Sequence, residues 1–105
     1  MARFDVYRNV GPHADVTPYL VEVQCDLLDR LESSVVVPLR RLDRSAQVAL
    51  PTRLIPQFKV EDLDCVLETP KLAAVPRRLL KDRVASLAND QAVIIGALDF
   101  LFQGY

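Results

Sequence analysis

The pattern of apolar and polar positions divides the chain near Pro76. All seven prolines lie at or before that residue, and most of the valines lie in the same part of the chain. Proline interrupts helices and central strands, whereas valine favours the pleated surface of a sheet. The pattern therefore predicts a strand-rich segment over residues 1–80 and leaves the rest of the chain free to form a helix.

Six short segments of the first part have the pattern of strands. Residues 19–25 show it best, because apolar side chains alternate there with Glu22 and Gln24. In residues 34–39 three consecutive valines predict burial on both faces, and Pro38 marks an edge or a bend. The other predicted strands are 4–8, 52–60, 63–69 and 72–75, and residues 40–50 fit a short helix or a loop. Short strands at this spacing are typical of a small barrel or a strongly bent sheet.

The last part of the chain carries a helical stripe. Apolar residues recur there at intervals of three and four, interrupted only by Gln91. The members of the stripe are Val84, Leu87, Ile94, Leu98, Leu101 and Tyr105. We predict a helix over about residues 88–103, capped at its start by Ser86 or Asn89 and ended at Gly104.

Apolar side chains also occupy the other faces of this helix, as at Val93, Phe100 and Phe102. A thin sheet covers only part of such a helix, so we expect a partner to cover the rest. Gly96 costs about 1 kcal/mol against alanine in a helix interior, and it permits a close approach of another backbone. That backbone is the protein's own sheet or a second copy. We expect a homodimer with Ala92, Ile95, Gly96 and Phe102 at its interface.

Length and charge limit the classes of function. A chain of 105 residues fits one domain, over residues 1–105, and its net charge of −1 argues against a protein that grips nucleic-acid phosphates. The longest nearly apolar run, residues 92–98, is far shorter than the ~20 residues that span a bilayer. The first ten residues have no signal-peptide core. We therefore expect a cytoplasmic protein that does not enter the membrane.

The residues of common catalytic and metal sites are scarce. The single histidine, His13, lies in a Gly-Pro loop, and Cys25 and Cys65 are 40 residues apart, which matches no zinc pattern. We expect both cysteines to be buried in a reducing compartment. Asp5, Asp26 and Asp29, with the scattered arginines, could in principle serve acid–base chemistry, but such pairs occur on any surface. We expect no cofactor, no metal and no enzyme.

Asp99 and the aromatic residues that follow it are candidates for a binding surface. Asp99 lies within the apolar stretch 93–102, where a carboxylate needs an arginine partner, a hydrogen bond or exposure at a rim. It is either half of an intramolecular ion pair or a polar point within an apolar recognition surface. Apolar and aromatic residues at an exposed terminus, here Phe102 and Tyr105, often mark an interaction site.

Five stretches of the chain resemble, in order, the CcdB family of bacterial toxins from toxin–antitoxin modules. They match that family in spacing and in total length, and they run along essentially the whole chain. The stretches are FDVY at 4–7, VEVQCDLLD at 21–29, VVVPL at 35–39, LETPKLAAVP at 67–76 and ALDFLFQGY at 97–105.

The resemblance implies a mainly β fold with a C-terminal helix, namely an SH3-like barrel with a small additional sheet, assembled as a symmetric homodimer. It implies a non-enzymatic toxin that binds the A subunit of DNA gyrase and traps the gyrase–DNA cleavage complex. A CcdA-like antitoxin with a disordered C-terminal segment would remove the toxin from gyrase. The pair would repress its own operon, with DNA contacted only through the antitoxin.

The resemblance also nominates residues that contact gyrase, from the loop after the second strand and from the end of the helix. They are Leu27, Leu28, Asp99, Phe102, Gln103, Gly104 and Tyr105. Gln103 stands where the family's best-known plasmid toxin has a tryptophan, and loss of an aromatic anchor commonly costs ~2 kcal/mol or more. Two alternatives therefore stay open: a non-toxic, antitoxin-binding co-repressor, and a MazF-type endoribonuclease on the same barrel.

Overall fold

A computed structural model describes residues 2–42 and 51–104, which form seven strands and one α-helix. The strands are β1 (Asp5–Arg8), β2 (Tyr19–Glu22), β3 (Ser33–Arg41), β4 (Gln57–Val60), β5 (Leu63–Leu67), β6 (Ala73–Pro76) and β7 (Arg83–Ser86). The helix α1 spans Gln91–Gln103. Single 3₁₀ turns occupy Asp26–Leu28, Thr69–Lys71, Arg77–Leu79 and Ala88–Asp90.

All pairings of the sheet are antiparallel, and its strands follow the order β4-β5-β3-β2-β1-β7. The sheet curls into a half-barrel. Strand β6 branches off this path and pairs with β3 alone. The predicted fold class, mainly β with a C-terminal helix, is confirmed.

Strand β3 changes its partner along its length. Its first half, Ser33 to Val36, pairs with β6, and its last residues, Leu39 to Arg41, pair with β5. Pro38 lies between the two, where its carbonyl oxygen accepts a hydrogen bond of 2.9 Å from the Glu68 amide. A residue without an N–H is tolerated there because the ladder is already interrupted. Pro38, where the sequence predicted an edge or a bend, is thus the position at which β3 changes its partner.

The main core lies between the concave face of the sheet and α1. Ile94 and Ala97 of the helix are completely buried, and Leu98 packs at the margin of this core. A second, smaller cluster on the other face contains Tyr7, Val36 and Leu80. The helix is therefore covered by the sheet on one side only.

The predicted helical stripe is wrong at its beginning. Val84 belongs to strand β7, which the sequence analysis did not predict, and Leu87 is buried in the core one residue after that strand ends. A spacing of three residues fits a helix, but it also fits a half-buried edge strand followed by a turn. The helix then begins at Gln91 rather than near residue 88, because Ala88–Asp90 form a 3₁₀ turn.

The helix ends agree only in part with the predicted caps. Ser86 Oγ accepts a 3.2 Å hydrogen bond from the Ala88 amide at the start of the 3₁₀ turn, whose N-cap is Leu87, so Ser86 does not cap α1. The α-helical N-cap is Asp90, not Asn89, and its side chain makes no capping hydrogen bond. Gly104 ends the helix as predicted, with a φ of 81° and its amide donating to the Phe100 carbonyl at 2.9 Å.

Three further expectations need correction. The strand expected over 52–60 begins only at Gln57, because the amides of Leu54 and Ile55 turn back to the Pro51 carbonyl. The second strand stops at Glu22, so Cys25 is exposed rather than buried, whereas Cys65 is buried as expected. Of the ambiguous segment 40–50, residues 43–50 lie outside the described residues.

The turn between β4 and β5, formed by Glu61 and Asp62, is stabilised by contacts of the Glu61 side chain. Glu61 and Asp62 both have positive φ, of 51° and 64°, a conformation that costs a residue other than glycine energy. Glu61 accepts hydrogen bonds from the Tyr19 hydroxyl (2.7 Å) and from Arg8 Nη2 (3.2 Å). These two donors hold the pKa of Glu61 below its usual value, and burial together with the Glu61 contact raises the pKa of Tyr19 to about 12.

The raised pKa of Tyr19 predicts a loss of stability at alkaline pH. A tyrosine in the unfolded state ionises near pH 10, whereas Tyr19 in the folded state keeps its proton until about pH 12. The free energy of unfolding therefore decreases between pH 10 and about 12. Over this pH range, we expect the free energy of unfolding to decrease by roughly 1–2 kcal/mol less in Tyr19→Phe than in wild type. Urea denaturation at pH 8, 10 and 11.5 measures it. Equal decreases in the free energy of unfolding for wild type and variant would contradict the assignment.

Candidate partner-binding surfaces

The segment between β2 and β3 exposes three leucines to solvent. Leu27 is 89% exposed, Leu31 50% and Leu28 46%. They lie on the 3₁₀ turn Asp26–Leu28 and the residues that follow, and we call residues 26–32 the leucine loop. A cluster of large apolar side chains that a soluble protein leaves in water marks an interaction site. Two of the three, Leu27 and Leu28, were nominated from the sequence.

The side chains of Gln24 and Arg77 form hydrogen bonds with the backbone of the leucine loop and of the adjacent strand β3. Gln24 donates from Nε2 to the carbonyls of Leu28 and Ser33, both at 3.3 Å, and accepts from the Val35 amide at 3.1 Å. Arg77 donates from Nε to the Leu31 carbonyl at 2.9 Å and from Nη2 to the Leu28 carbonyl at 3.3 Å. The exposed leucines are therefore presented on an ordered backbone.

Arg77 is itself fixed by a buried carboxylate. Its Nη1 lies 3.0 Å from Glu22 Oε2, and the same oxygen accepts a 2.7 Å hydrogen bond from the Ser34 hydroxyl. Both Glu22 and Ser34 are buried. A carboxylate out of water needs such partners, because its desolvation is costly. The pair links β2, β3 and the turn after β6.

The N-terminal residues support the other end of the loop. The Arg3 amide donates to Asp26 Oδ1 at 2.6 Å, and Arg3 Nε donates to the Val23 carbonyl at 2.8 Å. The Arg3 guanidinium also lies 4.7 Å from the centre of the Phe4 ring. Asp26 thus joins the loop to the start of β1.

The outer face of α1 forms a second surface. Ala92, Gly96, Asp99 and Gln103 follow a spacing of three and four, so they share the face opposite the buried Ile94 and Ala97. Large apolar side chains flank this face, namely Val93 at 47% exposure and Phe102 at 71%. The flank near Phe100 is covered by the Arg53 guanidinium, 5.3 Å from the ring centre. We call the face that carries Ala92, Gly96, Asp99 and Gln103, with its flanking side chains, the outer helix face.

Gly96 has no close neighbour on this face. A Cβ atom built at this position would meet no described atom within 4 Å. The alternative that Gly96 allows the protein's own sheet to approach is therefore wrong for the described part of the chain. Within that part, no close contact at Gly96 offsets the cost of a mid-helix glycine.

Asp99 is exposed, and within residues 2–42 and 51–104 it takes part in no salt bridge. The intramolecular ion pair, one of the two interpretations of this residue, is thus not found among the described residues. Asp99 instead adds a charge to the outer helix face, close to Phe102 and Gln103. Gly104 is exposed, and Tyr105 lies outside the described residues.

The leucine loop and the helix end are supported by different parts of the fold. Among the described residues, no hydrogen bond or ion pair joins them: the loop is tied to Arg3, Gln24 and Arg77, whereas the helix packs on the core and near the turn Thr69–Lys71. Sequence reasoning found the leucines but missed the buried Glu22–Arg77 pair. A glutamate in an alternating strand is normally solvated, so no local pattern revealed it.

Two of the three carboxylates considered for acid–base chemistry, Asp5 and Asp26, have other partners. Asp5 is buried, pairs with Arg83 Nε at 3.1 Å and accepts the Ala2 amide at 3.0 Å, while Asp26 accepts the Arg3 amide. Burial raises the pKa of the Cys65 thiol, so that thiol stays protonated. No group of potential metal ligands occurs in the described ranges, and no described helix is long and apolar enough to span a membrane.

Comparison with protein-family models gives one match, to the CcdB protein family, over residues 3–104. The chain belongs to the CcdB family. The resemblance drawn from the five sequence stretches is therefore confirmed. The search of curated proteins returned no match to the chain. Membership of this family supports a toxin of a toxin–antitoxin pair, and the described fold carries two exposed apolar surfaces with which such a protein could engage partners.

Proposed function

We propose that the protein binds the A subunit of DNA gyrase and traps the complex in which gyrase has cleaved DNA. The observation that carries this proposal is the leucine loop, whose Leu27 is almost fully exposed on a backbone held by Arg77 and Gln24. The fold does not need these leucines for its core, so their exposure requires another explanation. Gyrase is proposed as the partner because the chain belongs to the CcdB family, for which gyrase binding is known.

The action needs binding alone and no catalysed step. A ligand that binds the opened form of gyrase better than the closed form shifts the population towards the opened form, and cleaved DNA then persists. The proposed contacts are Leu27 and Leu28 of the leucine loop and Asp99, Phe102, Gln103, Gly104 and Tyr105 at the end of the helix. No cofactor is required, and the site of action is the cytoplasm.

The part of the outer helix face around Gly96 is proposed as the interface of a homodimer, and its C-terminal part, with Asp99 and Gln103, as a contact for gyrase. Gly96 has free space above it, Ala92 lies one turn earlier, and Ile95 and Phe102 form one apolar flank. Two copies related by a two-fold axis present the same face to each other, which the small residues at its centre favour. The dimer would carry two leucine loops.

A CcdA-like antitoxin is the second proposed partner. Its disordered C-terminal segment would fold onto the toxin and compete with gyrase for it, as coupled folding and binding allows. The complex of the two proteins would repress their operon, with the antitoxin contacting DNA. The net charge of −1 agrees with this division, because the toxin has no basic surplus for DNA.

One observation favours a second candidate, a co-repressor that binds the antitoxin without poisoning gyrase. Gln103 is an exposed amide at the position where a family relative has tryptophan, and the chain contains no tryptophan. An amide offers less apolar contact than an indole ring, so affinity for gyrase is the property at risk. The fold and the leucine loop do not depend on this position.

Calorimetric titration of the purified gyrase A subunit with the protein tests the proposal. We expect saturable binding that is lost when residues 102–105 are deleted. Absence of binding at 100 µM protein would overturn the gyrase proposal. An antitoxin titration then identifies the co-repressor, and digestion of RNA by the pure protein identifies a MazF-type endoribonuclease.

A further inference from the structure

Arg77 occupies the point where the chain leaves β6 and passes beneath the leucine loop. Its backbone amide donates to the Glu32 carbonyl at 2.7 Å, and the preceding Pro76 pairs with Ser33 at the start of β3. The side chain is only 15% exposed. It contacts the backbone carbonyls of the loop, and the leucine side chains stay exposed to solvent.

The guanidinium satisfies three acceptors at once. Nε donates to the Leu31 carbonyl, Nη2 to the Leu28 carbonyl and Nη1 to Glu22 Oε2. Only arginine has a planar fork that aims several donors in fixed directions, whereas lysine has one nitrogen. The two carbonyls belong to Leu28 and Leu31, so one guanidinium spans this part of the leucine loop.

Glu22 provides the fixed point of this arrangement. It lies in β2, and its Oε2 accepts from both Arg77 and Ser34, while its buried Oε1 has no hydrogen-bond partner among the described residues. A buried ion pair contributes little net stability, because desolvation offsets the attraction. The geometry of the Glu22–Arg77 pair bears more directly on the loop, since it connects strand β2 through Arg77 to the leucine loop.

We propose that Arg77, anchored by Glu22, is a positioning residue that preforms the leucine loop for partner binding. A loop already in its bound conformation avoids the entropy cost of ordering on association. The identity of the partner, DNA gyrase, rests on the proposed function. The positioning itself is a property of the free protein and is measurable without gyrase.

The test compares Arg77→Lys with Arg78→Lys, which makes the same change at the exposed arginine next to it. Hydrogen–deuterium exchange reports on the loop through the amides of Leu28, Asp29 and Leu31, which donate to carbonyls within residues 25–28. We expect these amides to exchange about tenfold faster in Arg77→Lys, with core amides of β2 and β3 changed less than about threefold. Arg78→Lys should match wild type.

Binding to the gyrase A subunit provides the second readout. We expect the dissociation constant to rise about tenfold for Arg77→Lys and to stay unchanged for Arg78→Lys. Equal acceleration of loop and core amides would overturn the proposal, because Arg77 would then act on global stability only. Unchanged loop exchange would overturn it as well, and so would an unchanged dissociation constant where wild type binds.

A second variant covers the case in which Arg77→Lys does not fold. Glu22→Gln keeps the side-chain volume and an acceptor for Ser34 but removes the charge that anchors Arg77. Faster exchange confined to the leucine loop supports the proposal, and unchanged loop exchange overturns it. If wild type fails to bind gyrase, the proposed function fails, while the loop-selective exchange still decides the role of Arg77.

Discussion

Replacing Leu27 by glutamate is expected to reduce the accumulation of cleaved DNA by at least about 30-fold, since loss of a central apolar contact costs ~2 kcal/mol or more. The side chain is 89% exposed and contributes nothing to the core. The free energy of unfolding should therefore change by less than about 0.5 kcal/mol, as is usual for surface positions. The measurement pairs a gyrase DNA-cleavage assay with thermal unfolding of the same sample.

Val10→Glu is the matched control for this variant. Val10 is 64% exposed, and it lies between β1 and β2, outside the two surfaces described above. It makes the same apolar-to-acidic change, and we expect wild-type cleavage from it. If Leu27→Glu traps as much cleaved DNA as Val10→Glu does, the leucine loop does not contact gyrase.

Replacing Gly96 by glutamate is expected to convert the proposed dimer into a stable monomer. No described atom lies within 4 Å of the added Cβ, so the chain itself accepts the side chain, and removal of a mid-helix glycine stabilises α1 by roughly 0.5 kcal/mol. Across a two-fold axis, however, the same substitution places two carboxylates and their bulk in the interface. We expect the dimer dissociation constant to rise at least about 100-fold, from overpacking and buried like charge.

Sedimentation equilibrium of Gly96→Glu and Ala88→Glu measures this effect. Ala88 is exposed in the turn before α1 and outside the outer helix face, so Ala88→Glu controls for the added charge. Circular dichroism checks that both variants keep their helix. A Gly96→Glu protein that dimerises as tightly as wild type would show that the outer helix face is not the dimer interface.

The sequence predicted those parts of the fold that depend on local pattern. Alternation in residues 19–25 located β2, and the glycine after Gln103 located the end of α1. It failed at β7, because Val84 and Leu87 continue the spacing of the helix although one of them lies in a strand. Edge strands of four residues carry too few alternating positions to compete with a longer helical pattern.

The candidate surfaces were predictable in a similarly uneven way. Leu27 and Leu28 were predicted as contact residues from the family resemblance, because they lie in one of the five matching stretches, residues 21–29. The contact between Glu22 and Arg77 joins residues 55 positions apart, and it depends on the branching of β6 from β3. Long-range pairing of this kind follows from the topology of the sheet, which composition and periodicity do not determine.

The DNA-cleavage assay with wild-type protein tests the central claim most directly. Purified protein is mixed with gyrase from its own host, ATP and supercoiled plasmid, and linear DNA is quantified after denaturation of gyrase. The account predicts that double-strand breaks accumulate with protein concentration and disappear when residues 102–105 are deleted. Plasmid that stays free of breaks at a large molar excess of protein would contradict it.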